Sequence, residues 1–385
     1  MARNIAIFCD GTGNEVSGNP SNVIRLFRIA ERSNEQLVFY DPGVGTIASD
    51  NRWHYFSENV KGLFGLMSGA GLDNGVLDAY RFLAEHYQDG DHIYLFGFSR
   101  GAYTVRVLAG LINMIGLLQA NQVNLADFAL TTYKRSSESN NFRIGWDFGR
   151  RTATRRVTIH FMGVWDTVSS MIVPRPDRLY IPSFQTLPFT RRNPSVRAFR
   201  QAISIDERRR MFRLNRWCEG QDFVIDPFSK PPVKQPQDIE QVWFAGVHSD
   251  VGCGYPEAES GLAKIALQWM VEQAQTGGLK IRESTYRRLA LGEGMDGGVS
   301  CSKPDPLAKI HNSLTLGWWP LELFEKRVKF RDWPKRWSWL GWYTPAGEPR
   351  FIPETANIHP SVRIRRADAH ANYNPVNVPE VSEAL

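Results

Sequence analysis

The stretch HIYLFGFSRGAYTVRVLAGLINMIGLL, residues 92 to 118, decides the fold because it joins a strand pattern to a helix pattern across a glycine-flanked serine. Residues 92 to 98 are apolar and rich in aromatic side chains, which is typical of a strand covered on both faces. From residue 100 onward, apolar side chains recur at three- and four-residue steps, which predicts a helix. Its inward face comprises Val105, Leu108, Ala109, Ile112 and Ile115.

Four further apolar runs have the same strand-like character: NIAIFCD, QLVFYD, VTIHFMGVWD and QVWFAGVH. Helical spacing also occurs over residues 71 to 87 and 260 to 274, so strands and helices alternate along the chain. This alternation predicts an α/β fold with a mostly parallel sheet, helices on both faces and insertions between the elements.

The chain has 385 residues, of which 42% are hydrophobic and 22% charged, and we interpret residues 1 to 385 as a single elaborated domain. The proline-rich residues 168 to 235 are predicted to form a cap or insertion over the site. Residues 313 to 343 hold six of the twelve tryptophans, mixed with lysine and arginine. This Trp/basic-rich segment either packs on the core or lies at the rim of the active site, where it can contact lipid headgroups.

The pentapeptide Gly-Phe-Ser-Arg-Gly at residues 97 to 101 predicts a catalytic nucleophile at Ser99. The serine of such an elbow has a strained backbone, and the following helix passes close to the strand. Side chains two residues away on either side would collide there. Gly97 and Gly101 remove those side chains, so we interpret both as supporting residues.

An unassisted serine hydroxyl is a poor nucleophile, so Ser99 needs a base and a group that orients the base. In hydrolases built on this elbow, an acid and then a histidine follow the serine along the chain. Asp166 ends the run VTIHFMGVWD, and His248 ends QVWFAGVH. Because the carboxyl ends of parallel strands share one edge of a sheet, we predict that these three side chains meet.

Other residues compete for two of these roles. His359 is the alternative base, although it and His311 follow no clear strand pattern. Asp250, two residues after the predicted base, either replaces Asp166 as the orienting acid or supports its loop through backbone hydrogen bonds. Placement at a strand end favours Asp166.

The loop CDGTGN, after the first apolar run, has two interpretations. A phosphatase with the pattern Asp-x-Asp-Gly-Thr uses its first aspartate as nucleophile, but this chain has Phe8 there, and a phenyl ring cannot form an acyl-phosphate. The loop fits better as part of an oxyanion hole. Gly11 or Thr12 then supplies one amide, and Arg100, which follows the nucleophile, supplies the other. Asp10 is predicted to anchor the turn.

Six motifs occur in a fixed order along most of the chain: FCDGTGN, YDPGVGT, FGFSRGAY, GVWDTV, GVHSDVGCGY and IHPSV. As a set they resemble the type VI secretion phospholipase effectors with an α/β-hydrolase catalytic domain, together with their uncharacterised relatives in bacteria and fungi. The resemblance implies an α/β-hydrolase-like fold, hydrolysis of carboxylic esters in lipids, and a triad of Ser99, Asp166 and His248.

Two function classes therefore follow from the sequence. The first is a serine hydrolase, an esterase, lipase or phospholipase, which works through a Ser-His-Asp triad and an acyl-enzyme. The second is a catalytically silent, hydrolase-shaped protein that binds its partner through the Trp/basic-rich surface.

Four isolated cysteines predict free thiols rather than a zinc site, and we expect neither a metal nor a cofactor. The net charge of +6 permits contact with anionic lipid, so peripheral membrane contact is a further expectation. No recognised module supports nucleic-acid binding. The chain shows neither a signal peptide nor an apolar stretch of about 18 residues. We therefore predict cytoplasmic synthesis, which is compatible with leaderless secretion.

Overall fold

The computed structural model describes residues 2–11, 19–43, 69–168, 172–174, 182–184, 187–226, 231–323, 326–327, 333 and 337–379. The described strands are β1 (Asn4–Cys9), β2 (Gln36–Asp41), β3 (His92–Phe98), β4 (Ile159–Trp165), β5 (Ile172–Pro174), β6 (Pro182–Phe184), β7 (Val196–Ser204), β8 (Asp222–Asp226), β9 (Val233–Pro236), β10 (Asp238–Phe244), β11 (Met295–Asp296), β12 (Val299–Ser300), β13 (Lys326–Arg327), β14 (Trp342–Tyr343) and β15 (Asn357–Ile358). The described α-helices are α1 (Asn22–Ile29), α2 (Gly69–His86), α3 (Ser99–Ile115), α4 (Ala126–Glu138), α5 (Arg143–Arg151), α6 (His248–Gly252), α7 (Gly261–Thr276), α8 (Glu283–Leu289), α9 (Trp319–Glu322) and α10 (Pro360–Ala367).

Seven strands form one sheet in the order β15-β10-β7-β4-β3-β1-β2, and every neighbouring pair in it is parallel. The other described strands form four antiparallel pairs outside this sheet. The sheet and its helices have the α/β-hydrolase-like architecture that the sequence predicts.

Strand β1 shows why the apolar runs are nearly continuous. Ile5, Ile7 and Cys9 belong to a core cluster with side chains of α2 and α3. Ala6 and Phe8 point to the opposite face and belong to a second cluster with α1 and α7. Because successive residues of a strand face opposite sides, both sets are buried only when helices cover both faces.

The predicted helices are confirmed. The face of α3 that was predicted to point inward is buried in the first core cluster. The pattern over residues 71 to 87 corresponds to α2, and that over 260 to 274 corresponds to α7. Truncating one such buried leucine or isoleucine to alanine typically costs about 2 to 5 kcal/mol of stability.

All five predicted strands lie in the sheet, but the prediction missed β7 and β15. Strand β7 falls inside residues 168 to 235, which were assigned to a cap or insertion. It pairs with β4 on one side and β10 on the other, so this part of the range belongs to the central sheet. A cap over the site stays a prediction for the remainder of that range, part of which lies outside the described residues.

The Trp/basic-rich segment contains tryptophans in two different environments. Trp318 is buried, and the indole nitrogen of Trp333 donates a hydrogen bond to the carbonyl of Pro349 at 2.8 Å. Trp337 and Trp339 are instead 82% and 69% exposed. Only some of the tryptophans therefore fill the core.

No helix among the described residues is both long enough and apolar enough to cross a lipid bilayer.

Candidate active site

Ser99 and Asp166 lie side by side at one edge of the sheet. Phe98 and Trp165 are the last residues of β3 and β4, and the two are paired in register. The residue that follows each of them is Ser99 on one strand and Asp166 on the other. The carboxyl ends of parallel strands thus bring the predicted nucleophile and acid to the same edge.

The two glycines of the pentapeptide permit the close approach of α3 to the sheet. A Cβ atom on Gly97 would lie 2.5 Å from the carbonyl oxygen of Gly101. A Cβ atom on Gly101 would overlap the backbone carbonyls of Cys9 and Asp10 at the end of β1. At both positions the nearest atoms belong to the backbone, which cannot move aside as a side chain can. A side chain at either position would therefore force the strand and helix apart.

The backbone is strained at both strand ends. Ser99 has a φ of +56° and Asp166 a φ of +33°, although neither residue is glycine. Non-glycine residues in this region carry strain of about 1 to 3 kcal/mol, which the surrounding structure must hold in place. At Ser99 this conformation places the first residue of α3 directly at the end of β3.

His248 is hydrogen-bonded to Asp166. The histidine follows β10 and begins the short helix α6. Its Nδ1–H donates to Oδ2 of Asp166 at 2.5 Å, and both side chains are buried. The assignment of the proton to Nδ1 follows from the carboxylate, which in its ionised form can only accept.

The imidazole of His248 also packs between two aromatic rings. Phe98 stacks on it with ring centroids 4.6 Å apart, and Phe212 contacts it edge-on at 4.8 Å. Ser99 directly follows Phe98, the residue whose ring stacks on the imidazole. No hydrogen bond joins the Ser99 hydroxyl to His248 in the described part of the chain. Catalytic hydrogen bonds are often long in ligand-free sites and tighten when substrate binds.

Arg350 and Ser204 complete the surroundings of the Asp166 carboxylate. Nη1 and Nη2 of Arg350 donate to Oδ1 and Oδ2 of Asp166 at 2.5 and 3.0 Å. The amide and hydroxyl of Ser204 donate to Oδ1 at 3.0 and 3.1 Å. Burial alone would raise the pKa of Asp166, but the charge of Arg350 and the hydrogen bond from His248 hold that pKa far below its usual value. Asp166 is therefore ionised at every physiological pH.

A second buried carboxylate, Glu207, lies behind His248. It accepts hydrogen bonds from the backbone amide of His248 at 3.2 Å and from the hydroxyl of Ser313 at 3.1 Å. Burial would raise its pKa, but the guanidinium of Arg209 lowers the pKa of Glu207 to about 2. The pKa of His248 lies below its usual value because burial disfavours the imidazolium more than its acidic neighbours favour it.

Asp250 binds a different histidine. Its Oδ1 accepts a hydrogen bond from Nδ1 of His311 at 2.6 Å, and its Oδ2 accepts one from the amide of Val247 at 3.0 Å. The second interaction is the loop support that the sequence offered as one role for this residue. Nε2 of His311 donates to Glu259 at 2.5 Å, so both ring nitrogens are bound.

His359, the alternative base, lies at the edge of the sheet. It is the N-cap of α10, its Nδ1 accepts from the amide of Ser361 at 3.2 Å, and its ring stacks on Phe244 at 4.6 Å. Burial lowers the pKa of His359 to about 4. Among the described residues, no hydrogen bond or ring contact joins the His359 side chain to Asp166 or Asp250.

The predicted oxyanion loop lies partly within the described residues. Asp10 anchors the turn after β1, since it accepts hydrogen bonds from Ser21 at 2.5 Å and from Tyr40 at 2.9 Å. The amide of Gly11 donates to Oδ1 of Asp10 at 2.7 Å, so this amide must exchange that bond before it can serve an oxyanion. Thr12, the alternative donor, lies outside the described residues.

Arg100, the other predicted donor, is the second residue of α3. Backbone amides in the first turn of a helix point out of its N-terminus, towards the edge of the sheet that carries Ser99.

Sequence reasoning missed Arg350, Glu207 and Ser204. Ser204 ends β7 and Glu207 follows it, so assigning VRAFRQAIS as a strand would have drawn attention to both. Arg350 follows no strand and belongs to no motif, and no signal in a single sequence marks it.

Within the described ranges, no group of three or more His, Cys, Asp or Glu side chains is arranged to hold a metal ion. The four cysteines are free thiols, and Cys9, Cys253 and Cys301 are buried.

Comparison with known proteins gives one family and several distant relatives. The model of the type VI secretion system phospholipase effector Tle1-like catalytic domain matches residues 3–273. The whole chain aligns with 81% of the uncharacterized protein YEL023C of Saccharomyces cerevisiae, at 23% identity over 567 positions.

Three solved structures are also similar. An uncharacterized protein from Pseudomonas aeruginosa is 20% identical, with 74% of this chain and 47% of that chain covered and a TM-score of 0.40. The Tle1 effector bound to the VgrG spike of the type 6 secretion system is 18% identical, with 68% and 53% covered and a TM-score of 0.34. Esterase 2 of Thermogutta terrifontis, in its apo form, is 14% identical, with 73% and 86% covered and a TM-score of 0.34. The chain thus spans about half of the length of the first two structures.

Proposed function

The chain belongs to the family of type VI secretion system phospholipase effector Tle1-like catalytic domains, and from this premise we propose that it is a serine hydrolase that cleaves phospholipid carboxylic esters. In this proposal Ser99 is the nucleophile, His248 the general base and Asp166 the orienting acid. The hydrogen bond between His248 and Asp166, at the strand ends beside Ser99, is the observation that carries it.

In the first half of the reaction, the Ser99 hydroxyl oxygen attacks the ester carbonyl carbon while Nε2 of His248 takes the hydroxyl proton. The ionised Asp166 stabilises the imidazolium that forms and keeps its Nδ1–H directed to the carboxylate. When the tetrahedral intermediate collapses, the bond to the alcohol oxygen breaks, and His248 returns the proton to that oxygen. The acyl group is then bound to Ser99.

In the second half, water attacks the acyl-enzyme with His248 again as the base, and the fatty acid leaves. Both halves require a neutral histidine at the start, and the low pKa of His248 supplies one at neutral pH. The backbone amide of Arg100 and one from the loop after β1 are the proposed oxyanion donors. The loss of one such donor typically costs about 2.7 to 4 kcal/mol of transition-state stabilisation.

The exposed part of the Trp/basic-rich segment is the proposed contact with an anionic lipid surface. Trp337, Trp339 and Leu340 are exposed, and tryptophan favours the headgroup region of a bilayer. Residues 326 to 336 contain six lysines and arginines, which attract anionic lipid.

A buried tryptophan of the same segment lies near the proposed base. Trp318 contacts Phe212 edge-on with ring centroids 5.7 Å apart, and Phe212 contacts the His248 ring.

Fatty-acid release from mixed phosphatidylethanolamine and phosphatidylglycerol vesicles tests the function. We expect release by the wild-type chain, a loss of about 10⁴-fold or more in Ser99→Ala, and unchanged release in the control Ser139→Ala, whose hydroxyl bonds its own helix. Undiminished release in Ser99→Ala would refute the assignment of Ser99 as the nucleophile. Binding of the same vesicles without any turnover would favour the silent binding protein, and magnesium-dependent phosphate release that persists in Ser99→Ala would favour a phosphatase.

Vesicle flotation tests the lipid surface separately. We expect the double variant Trp337→Ala/Trp339→Ala to lose most of its binding to anionic vesicles but to keep its activity on a water-soluble short-chain ester. Trp146, which is 50% exposed on α5, provides the control Trp146→Ala. Equal binding by all three proteins would contradict this assignment.

A further inference from the structure

Arg350 binds the proposed orienting acid from a part of the chain that the family match does not reach. The match ends at residue 273, and Arg350 lies between β14 and β15. The predicted nucleophile, acid and base all come from the matched part. A charged side chain from the unmatched part nevertheless completes their surroundings.

The guanidinium of Arg350 makes five hydrogen bonds. Two go to the Asp166 carboxylate, at 2.5 and 3.0 Å. Two go to Ser204, at 2.7 Å to its hydroxyl and 3.1 Å to its carbonyl, and one goes to the carbonyl of Phe212 at 2.8 Å. Phe212 is the residue whose ring contacts His248 edge-on. The planar fork of an arginine can satisfy all these acceptors at once, whereas a lysine ammonium cannot.

The backbone of Arg350 is itself fixed. The side-chain amide of Asn377 is buried and donates to the carbonyl of Arg350 and to the carbonyl of Ile205, each at 3.0 Å. Ile205 directly follows β7, so this bridge ties the loop of Arg350 to the end of a central strand. The guanidinium is therefore held at a defined position relative to Asp166.

The charge of Arg350 has two consequences for its neighbours. It holds the pKa of Asp166 far below the usual value, so the acid stays ionised. Because like charges repel, a guanidinium bound to this carboxylate also opposes an imidazolium at His248. The other charged groups around this ring are Glu207, which favours the imidazolium, and Arg209, which opposes it.

We propose that Arg350 is a positioning residue of the active site, which holds the Asp166 carboxylate and through it fixes the His248 ring and the charge that this ring faces. The inference rests on the proposed function, because it gives Arg350 a role in the pair that activates Ser99. It also makes the part of the chain after residue 273 a component of the site.

The test is an NMR titration of His248 in the full chain, with ¹³C-labelled histidine and the signal assigned by its loss in His248→Asn. All titrations are recorded in the Ser99→Ala background, so the result does not depend on turnover. We expect Arg350→Met to raise the His248 titration midpoint by about one unit or more, since an uncompensated carboxylate then faces the ring. An unchanged midpoint in a folded Arg350→Met would overturn the proposal.

Arg350→Lys separates charge from geometry and serves if Arg350→Met does not fold. Lysine keeps the cation, so we expect a midpoint close to the wild type, but it loses the fork, so kcat should fall about tenfold or more. An unchanged kcat in Arg350→Lys would overturn the positioning role.

Arg365 provides the matched control, because it is also buried and donates to the carbonyls of Pro306 and Ala308. Arg365→Met should leave the His248 midpoint unchanged, and an equal shift in this variant would contradict a specific role for Arg350. If hydrolysis persists in Ser99→Ala, the proposed function is refuted. The role of Arg350 is still tested in that case, because the titration does not depend on turnover.

Discussion

The molecule contains two histidine–aspartate pairs with almost the same hydrogen bond and opposite surroundings. Nδ1 of His248 donates to Asp166 at 2.5 Å, and Nδ1 of His311 donates to Asp250 at 2.6 Å. In the first pair, the carboxylate of Asp166 also binds the cation of Arg350. In the second pair, the histidine binds a second carboxylate, because Nε2 of His311 donates to Glu259. Among the described residues, Nε2 of His248 has no hydrogen-bond partner.

The surroundings move the two pKa values in opposite directions. Burial lowers the pKa of His248, and its acidic neighbours do not reverse the effect. Burial also opposes the charge on His311, but hydrogen bonds to Asp250 and Glu259 raise its pKa above the usual value. His311 also stacks on Tyr255, with ring centroids 3.6 Å apart. A histidine–aspartate pair therefore does not define a base: what binds the second nitrogen and what neutralises the carboxylate decide its role.

The largest difference between the two pairs is expected when each histidine is replaced. His248→Asn removes the proposed base, and we expect kcat/KM for phospholipid ester hydrolysis to fall by about 10⁴-fold or more. His311→Asn should lower kcat/KM less than about tenfold, because the proposed mechanism gives His311 no role in proton transfer. The comparison breaks down if the two variants lose activity equally while circular dichroism shows both folded.

Replacement of each aspartate should give the next largest difference. Asp166→Asn can no longer hold the His248 tautomer that the proposed mechanism requires, and kcat should fall by about 10⁴-fold by analogy with other triads. Asp250→Asn removes the support of the loop that carries α6, so we expect a smaller loss of kcat together with reduced thermal stability. Steady-state kinetics and thermal denaturation of both variants measure this, and similar losses of kcat would be evidence against Asp166 as the orienting acid.

The smallest predicted effect concerns stability and pH. Because the pKa of His311 is higher in the folded chain than its usual value of 6.5, its protonation stabilises the fold. This contribution is fully present below the unfolded-state pKa and is lost as the pH rises through the folded-state pKa. We expect this contribution to the free energy of unfolding to be about 1 kcal/mol, because Glu259 is 45% exposed and solvent partly screens its interaction with His311.

Urea denaturation of the wild type and His311→Asn, at pH 5.5 and pH 9, measures this contribution of His311 to the free energy of unfolding. The difference in the free energy of unfolding between the two proteins should be larger at pH 5.5. A difference that is the same at both pH values would show that protonation of His311 does not stabilise the fold.

The sequence predicted five of the seven sheet strands because each has a nearly continuous apolar run, and in β1, β3 and β4 this reflects burial of both faces. Strand β7 was missed because Arg197 and Arg200 interrupt its apolar residues. In the sheet, Arg200 donates a hydrogen bond to Asp238 at 2.8 Å, a contact that depends on the fold. Strand β15 has only two residues, too few for any pattern.

The candidate site divides in a similar way. The positions of Ser99, Asp166 and His248 could be predicted because each follows a strand pattern, and parallel strands end at a common edge. Arg350 could not, because it reaches Asp166 from a loop that Asn377 holds in place. The binding of the Gly11 amide to Asp10 was also hidden, because the geometry of a turn rather than a residue pattern determines which acceptor an amide meets.

Labelling with a fluorophosphonate, read by mass spectrometry of the intact protein and its peptides, tests the central claim most directly. We expect one adduct per chain, on Ser99, formed at wild-type rate in His311→Asn and at least about 10³-fold more slowly in His248→Asn. An adduct on another residue, or equal labelling rates in the two histidine variants, would contradict the proposal that His248 and Asp166 activate Ser99.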